Sequence, residues 1–138
     1  MKKRISALII FALTLSVLFA FTACNEKDLW KDAIYTEDTA LGEGDTEFIL
    51  NVSAGGRMVT FTIRTDKAIL GDALLELGLI EGEPGAYGLY VKRVNGIEAD
   101  YEKDRHYWAL WINDDYAPAG VDQTEISEGV HYTFERAK

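Results

Sequence analysis

One residue near the start of the chain has the type and the setting for a covalent reaction. Cys24 is the only cysteine, and it follows the basic residues 2–4 and an apolar run from Ala7 to Phe21. That run of about 15 residues is shorter than the ~20 that span a membrane, and small residues precede the thiol, as at a signal-peptide cleavage site. The pattern predicts a lipoprotein signal peptide over residues 1–23 and acylation of Cys24. An uncleaved anchor helix over residues 5–22 is the alternative interpretation.

Acylation would decide where the mature chain lies. Several acyl chains, of which palmitate is a typical one, bury enough methylene groups for stable anchoring, since each contributes about 0.8 kcal/mol. We therefore expect an extracytoplasmic protein that is lipid-anchored to the cell membrane. Cleavage would remove Lys2, Lys3 and Arg4 but no acid, so that the formal net charge changes from −9 to −12. So acidic a surface argues against nucleic acid and anionic lipid headgroups as partners.

The other reactive side chains do not form a catalytic or metal-binding pattern. The sequence contains neither G-x-S-x-G nor H-E-x-x-H, which would mark a hydrolase nucleophile or a zinc protease. His106 and His131 have no second ligand at zinc spacing. Asp114, Asp115 and Asp122 lack the spacing of a calcium loop, so we expect them in a solvated turn. The sequence therefore predicts no enzyme, no metal site and no resident cofactor.

An acidic segment follows the predicted signal peptide. Residues 24–45 are polar, rich in Asp and Glu, and without sustained apolar periodicity. This composition is typical of a solvated linker, so we expect a tether here and a folded domain over residues 46–138. A short amphipathic turn is the alternative, and it would be built on Leu29, Trp30, Ile34 and Tyr35.

Alternation of apolar and polar residues predicts the first elements of the domain. Phe48, Leu50 and Val52 alternate with polar neighbours before Gly55-Gly56, and Val59, Phe61 and Ile63 do so after it. This pattern predicts a β-hairpin with one buried face. A helix is expected next, capped by Asp66 and ended by Gly78, because apolar residues recur there at helical spacing. They are Ile69, Leu70, Ala73, Leu74 and Leu77.

Three further strands, and a short second arm of a hairpin at Tyr116-Ala117, complete the predicted domain. Residues 90–94 end at the turn Asn95-Gly96, residues 107–112 turn at residues 113–115, and residues 130–134 follow the turn Glu128-Gly129. The order of hairpin, helix, strand, hairpin and strand predicts an α+β fold, a β-grasp-like mixed sheet with one packed helix. The second face of that sheet is expected to stay partly open.

Several short motifs in the second half of the chain resemble those of a known family. They are Tyr87-Gly88-Leu89-Tyr90, Val94-Asn95-Gly96, Tyr107-Trp108-Ala109-Leu110, Ala119-Gly120-Val121-Asp122 and the Glu128-Gly129 turn. In this order and spacing they resemble the C-terminal small domain of the cobalamin carriers transcobalamin and intrinsic factor, which also occurs in a bacterial surface-lipoprotein family of unknown function. The resemblance implies that residues 46–138 form a transcobalamin C-terminal-like domain.

The same resemblance implies a set of ligand-binding residues. In the carriers the small domain closes over a corrinoid that is held against a larger helical barrel, through loops near the Tyr-Gly-x-Tyr segment and the tryptophan-containing hairpin. Carried over to this chain, the contacts are Tyr87, Gly88, Tyr90 and Trp108. Trp111 and Tyr116 are added by their position in the corresponding hairpin alone. The helical barrel has no counterpart in this sequence.

The residues themselves leave two interpretations open. Trp108 and Trp111 fall on opposite faces of their strand, because side chains alternate. Either Trp108 packs beneath the helix and Trp111 is a half-buried aromatic of the open sheet face, or the outward aromatic forms, with Tyr87 or Tyr116, a platform for a flat ligand. Gly88 fits a tight turn as well as a loop that a ligand approaches closely.

Two functions are compatible with these residues. The first is a membrane-anchored binding lipoprotein whose ligand is a corrinoid or another bulky planar small molecule. The second is a surface protein-interaction module that binds no small molecule of its own and docks through an open face or an edge strand. A pocket lined by the tyrosines and tryptophans would favour the first function, and a flat patch would favour the second.

Overall fold

The computed structural model describes residues 28–138. The signal peptide predicted over residues 1–23, the lipidation site Cys24 and residues 25–27 lie outside the described residues. The strands are β1 (Thr39–Leu41), β2 (Thr46–Ala54), β3 (Arg57–Thr65), β4 (Ile80–Gly85), β5 (Gly88–Val94), β6 (Ile97–Glu98), β7 (Tyr107–Ile112), β8 (Asp115–Tyr116) and β9 (His131–Ala137). The helices are α1 (Leu70–Glu76) and α2 (Tyr101–Asp104), and 3-10 turns cover Leu29–Asp32 and Val121–Gln123.

The large sheet has six strands in the order β1-β3-β2-β9-β7-β8. It is mixed, because β1 pairs with β3 and β2 with β9 in parallel, whereas the other pairs are antiparallel. Its central hairpin turns at Gly55 and Gly56, whose φ angles are 57° and 78°, as a two-residue turn between twisted strands requires. The inner-face residues Phe48, Leu50, Phe61 and Ile63 are all fully buried. The predicted hairpin and mixed sheet are therefore confirmed.

The main helix is shorter than its apolar periodicity predicts. It begins after Ile69, which makes no side-chain cap, and covers Leu70–Glu76. The Asp66 carboxylate instead accepts a hydrogen bond from the backbone N–H of Asp45, at 2.9 Å, so the predicted cap is wrong. Gly78 follows the helix with a φ of 70°. Leu74 is fully buried, and the helix packs its predicted apolar side onto the core.

A second sheet was not predicted. It consists of β4, β5 and β6, all antiparallel, and it packs against β7 of the large sheet. Trp108 is 7% exposed and donates a hydrogen bond from Nε1 to the carbonyl of Ile97 in β6, at 3.2 Å. Its ring meets that of Phe134 edge to face, with centroids 6.5 Å apart. Trp108 is thus a core residue, as one interpretation expected, but it packs beneath the small sheet and not beneath the helix.

The structure contradicts the solvated tether over the described part of residues 24–45. We call residues 28–41 the N-terminal strap. Trp30 of the strap is 7% exposed, and its Nε1 donates to the carbonyl of Ala54, at 3.0 Å. Tyr35 packs edge to face on Phe61, and β1 adds a parallel strand beside β3. An acidic composition did not prevent burial here, because the few apolar side chains of the segment fill one end of the core.

The described residues include no helix that is long and apolar enough to cross a membrane.

Candidate ligand-binding groove

A groove of about 640 Å³ opens between the two sheets. One wall is formed by residues 86–91, the β4–β5 turn and the start of β5, and the other by residues 116–121, from the end of β8 onward. The buried side chains of Trp108, Leu110 and Phe134 line the groove between these walls. Segments from four separate places in the sequence therefore meet at this site.

The groove brings together five of the six predicted ligand-binding residues. They are Tyr87, Gly88, Tyr90, Trp108 and Tyr116. Trp111 does not line the groove. It stands directly opposite Tyr116 in the β7–β8 pair and packs on it edge to face, with ring centroids 5.3 Å apart. Since alternate side chains of a strand point to opposite faces, Trp111 lies on the face away from Trp108 and Leu110.

The tyrosines at the groove are unusually exposed for aromatic residues. The side chain of Tyr87 is 93% exposed, that of Tyr116 59% and that of Tyr90 39%. Tyr87 occupies the two-residue turn between β4 and β5, so the turn itself carries the aromatic ring into solvent. Contiguous exposed aromatic surface is a feature of many binding sites.

The groove is uncharged, although the chain is strongly acidic. The whole sequence has 23 acidic and 14 basic residues, yet no residue that lines the groove carries a charged side chain. The polar side chains at the site are those of Gln123 and the tyrosines. An ion would therefore find no charged side chain in the lining to pair with, which favours a neutral ligand.

Asp122 is a site residue that sequence reasoning missed. It was expected in a solvated turn, but its Oδ2 accepts a hydrogen bond from the backbone N–H of Leu89, at 3.1 Å. Its Oδ1 is buried and accepts no hydrogen bond from residues 28–138. A Cβ atom at position 88 would lie 2.6 Å from Oδ1 and 2.7 Å from Oδ2. The φ of 105° at Gly88 also disfavours other residues. Gly88 therefore follows a tight turn and admits the Asp122 carboxylate, whereas close approach of a ligand stays a prediction.

The predicted absence of a metal site stays a prediction. Within residues 28–138, no three His, Cys, Asp or Glu side chains are grouped so that they could hold a metal ion. His106 is engaged with its neighbour Asp104, through a 2.7 Å contact between Nδ1 and the Asp104 carbonyl oxygen. Asp114 and Asp115 are exposed at the β7–β8 turn, as expected for a solvated turn.

Comparison with known proteins gives a family and a fold. Residues 68–135 match the family described as Domain of unknown function (DUF4430). No curated protein matches the chain. The crystal structure of a candidate metal-binding protein from Ruminococcus gnavus ATCC 29149 aligns over 68% of this chain and 98% of that one, with a TM-score of 0.64 and 26% identity.

Haptocorrin in complex with Cbi is a second structural neighbour. It aligns over 67% of this chain, with a TM-score of 0.51 and 17% identity, and this chain spans 25% of its length. At that identity the likeness concerns the fold alone. It agrees with the resemblance that the motifs around Tyr87 and Trp108 indicated. Residues 68–135 of this chain therefore match the DUF4430 family, and the fold agrees with a transcobalamin C-terminal-like domain.

Proposed function

We propose that the chain is a binding protein whose groove takes a corrinoid or another bulky planar small molecule. The observation that carries this proposal is the groove itself, an uncharged aromatic cleft in a chain with a net charge of −9. In this proposal a bulky planar ligand lies with one face against the rings of Tyr87 and Tyr90, beside Trp108. Each well-placed aromatic contact contributes about 0.5 to 1.5 kcal/mol beyond the burial of area.

The structural neighbours support binding as the activity. Haptocorrin was solved in complex with Cbi, and the corrinoid proposed here follows from that likeness and from the groove together. This chain corresponds to a quarter of haptocorrin, so the groove is proposed as one side of a site. The 93% exposure of Tyr87 fits a ring that becomes covered when a ligand or a second protein closes the other side.

Metal binding is not proposed from the Ruminococcus gnavus neighbour. That protein is a candidate metal-binding protein, but residues 28–138 of this chain offer no grouped set of three ligating side chains. The groove lining adds no carboxylate, imidazole or thiol. Its donor set suits a neutral organic molecule better than a cation.

Membrane anchoring is the second part of the proposal. It rests on the basic residues 2–4, the apolar run and the placement of Cys24. The test is metabolic labelling of the chain with a fatty-acid probe in a bacterial host. We expect label on the wild-type chain and none on Cys24→Ala, which should accumulate as an unprocessed precursor or leave the membrane. An unlabelled wild-type chain would remove the lipoprotein part and leave the groove proposal in place.

The binding part is tested by titration of the full chain, purified in detergent, with cobinamide and with cobalamin. Tryptophan fluorescence and calorimetry report binding. We expect Tyr87→Ala to weaken binding by about 5-fold to 150-fold, which corresponds to roughly 1 to 3 kcal/mol. Tyr101→Ala is the matched control, because Tyr101 is 49% exposed, lies in α2 and does not line the groove. Equal affinity of the two variants would contradict the proposed site.

A protein-interaction module is the alternative function, and the exposed tyrosines favour it as well. In this case the wild-type chain binds neither corrinoid at millimolar concentration. Crosslinking on intact cells would instead recover a protein partner whose capture depends on Tyr87. That pair of results would replace the small-molecule proposal.

A further inference from the structure

Asp122 lies behind the groove wall that carries Tyr87. Its Oδ2 holds the backbone N–H of Leu89, two residues after Tyr87, and this contact joins parts of the chain that are 33 residues apart. Within the described residues, no other hydrogen bond from a side chain reaches the backbone of residues 85–91. Among residues 28–138, Asp122 is thus the one side chain that holds the backbone of this hairpin tip by a hydrogen bond.

Two glycines make room for this carboxylate. Both oxygens of Asp122 occupy the space that a side chain at Gly88 would fill. On the other side, a Cβ at Gly120 would come within 3.1 Å of Oδ1 and within 3.7 Å of the Tyr87 carbonyl oxygen. Gly88 and Gly120 both line the groove. The carboxylate therefore lies just below the groove surface, next to Gly88 of one wall and Gly120 of the other.

The backbone of Asp122 is fixed from behind by the main helix. A Cβ at Gly71, in α1, would lie 3.0 Å from the Cα of Asp122, so the 3-10 turn Val121–Gln123 sits directly on the helix. The backbone N–H of Leu70 also donates to the carbonyl of Thr124, at 2.8 Å. The contact from Asp122 to Leu89 thus connects the exposed hairpin tip to the packed core of the domain.

Stability alone does not account for this arrangement. A buried carboxylate oxygen is favourable when donors surround it, and Oδ1 receives none from residues 28–138. One oxygen of the carboxylate is thus buried without a partner among these residues, while the other holds the groove wall by its hydrogen bond. Sites that position ligand-contacting groups commonly bear such a cost.

We propose that Asp122 is a positioning residue, which holds the Tyr87 hairpin tip at the distance from residues 116–121 that ligand binding needs. The expected effect of Asp122 on ligand affinity rests on the proposed function, since it requires that the groove binds a ligand. Its structural part, the control of the hairpin tip by Asp122, stands independently. Asp122 itself does not touch the ligand, because Gly88 and Gly120 lie between it and the groove.

The test is hydrogen exchange of individual backbone amides in the full chain, together with titration by cobinamide. In Asp122→Ala we expect the Leu89 amide to exchange at least tenfold faster, while the amide of Phe61 in the large sheet keeps its rate. Asp122→Asn should restore protection, since its Oδ1 can accept the same hydrogen bond. Cobinamide affinity should fall about 3-fold to 30-fold in Asp122→Ala and recover in Asp122→Asn, with the melting temperature nearly unchanged.

Asp114→Ala is the matched control, an exposed acid of the neighbouring β7–β8 turn, and it should alter neither readout. Unchanged Leu89 exchange in Asp122→Ala would overturn the inference. Faster exchange with unchanged affinity would also overturn it, because the position of the tip would then not matter for binding. A third result is faster Leu89 exchange in Asp122→Ala together with no cobinamide binding by the wild-type chain. It would contradict the proposed function alone, and Asp122 would remain the residue that positions the tip.

Discussion

The small sheet has two turns, and their environments are opposite. Asn95 and Gly96 form the turn between β5 and β6, where Asn95 is fully buried. Ala86 and Tyr87 form the turn between β4 and β5, where Tyr87 is 93% exposed. One strand, β5, therefore runs from an end that is embedded in the domain to an end that stands in solvent beside the groove.

The N-terminal strap covers the Asn95 end of β5 and does not reach the Tyr87 end. The Asn95 side chain accepts a hydrogen bond from the N–H of Tyr35, at 2.9 Å, and donates one to its carbonyl, at 2.8 Å. The N–H of Ile34 adds a third, to the carbonyl of Asn95. A Cβ at Gly96 would collide with the carbonyl of Asp32. At the Tyr87 end, a single side chain among residues 28–138 forms a hydrogen bond with the backbone of the hairpin tip, and it is that of Asp122.

The domain thus combines a rigid frame with an accessible site. The held end fixes the orientation of the small sheet on the large one, and the free end leaves aromatic surface open to a ligand. Substitutions at the held end should therefore change the free energy of unfolding, whereas substitutions at the free end should change binding alone.

The largest effect is expected from the strap. Trp30→Ala should lower the free energy of unfolding by about 3 to 5 kcal/mol, because it empties a buried site and removes the hydrogen bond to Ala54. The substitution also removes the contact between the Trp30 ring and the Arg57 guanidinium, which lies 4.7 Å from the ring centroid. Urea unfolding of the full chain measures the change. Ile34→Ala is the control, since Ile34 is 55% exposed in the same strap. A shared unfolding midpoint for the two variants would mean that the strap does not hold the sheet.

A smaller loss is expected from the buried turn. Asn95→Asp keeps the size of the side chain and tolerates the φ of 52°, but it replaces the donor to the Tyr35 carbonyl with an oxygen. The free energy of unfolding should fall by about 1 to 3 kcal/mol. Asn113→Asp is a matched control, because Asn113 is exposed, has a φ of 53° and uses its oxygen to accept from His131. Equal stability of both variants would contradict the role of Asn95.

A pH-dependent contribution is expected from a third contact of the held end. Arg136 donates from Nε to the Glu98 carbonyl in β6 and from Nη2 to the Asp104 carboxylate, at 2.8 Å. Burial alone would raise the pKa of Asp104, but the His106 N–H, the Arg136 charge and the Asp100 N–H together hold that pKa below its ordinary value. The stabilisation is therefore full above the ordinary pKa of an aspartate and disappears as the pH falls through the lowered one.

Asp104→Asn tests this contribution. The variant should be less stable than the wild type at pH 7 by about 1 kcal/mol, since the pair is only partly shielded from solvent. The difference should shrink as the pH falls below the ordinary aspartate value. Thermal unfolding at several pH values between neutral and acidic measures it. Asp114→Asn, at an exposed turn, should follow the wild type throughout, and a constant difference for Asp104→Asn would contradict the pKa assignment.

The smallest effect on stability is expected at the free end. Tyr87→Ala should change the free energy of unfolding by less than about 0.5 kcal/mol, because its side chain has little packing to lose. Trp108→Ala, in the same groove, should cost about 3 to 5 kcal/mol, because Trp108 is buried. Urea unfolding of both variants provides the comparison. A large loss in Tyr87→Ala would show that the hairpin tip is packed in solution.

Local patterns accounted for most of the large sheet and for the main helix. The alternation around Phe48 and Phe61 and the helical spacing of Leu70 and Leu74 each reflect one face that must be buried, whatever covers it. Strand β4 escaped prediction because Ile80–Gly85 has a proline, two glycines and one buried residue. Its extended form comes from pairing with β5. For the strap, the tether interpretation was favoured because the few apolar residues show no sustained periodicity, and the alternative, a short amphipathic turn that includes Trp30, agrees with the structure.

The candidate residues that line the groove were predicted through short motifs and not through periodicity, whereas the choice between a pocket and a flat patch was left open. The motifs that resemble the carrier domain supplied Tyr87, Gly88, Tyr90 and Trp108, and the hairpin position supplied Tyr116. The same positional argument added Trp111, which points to the other face of the sheet. Asp122 belongs to one of those motifs but was expected in solvent, because an acid in a turn gives no sign of a partner 33 residues away.

The amino-acid sequence by itself determined the central hairpin, the main helix and strands β5, β7 and β9, since period-two and helical patterns and turn glycines depend only on neighbouring residues. Only the tertiary structure decided which end of the small sheet is buried, that Trp30 completes the core and that Asp122 reaches Leu89. These features depend on which distant segments fill the remaining space around each side chain. The burial of a side chain depends on that packing. The local sequence around Trp30, in an acidic segment, or around Asp122, in a turn, therefore does not predict it.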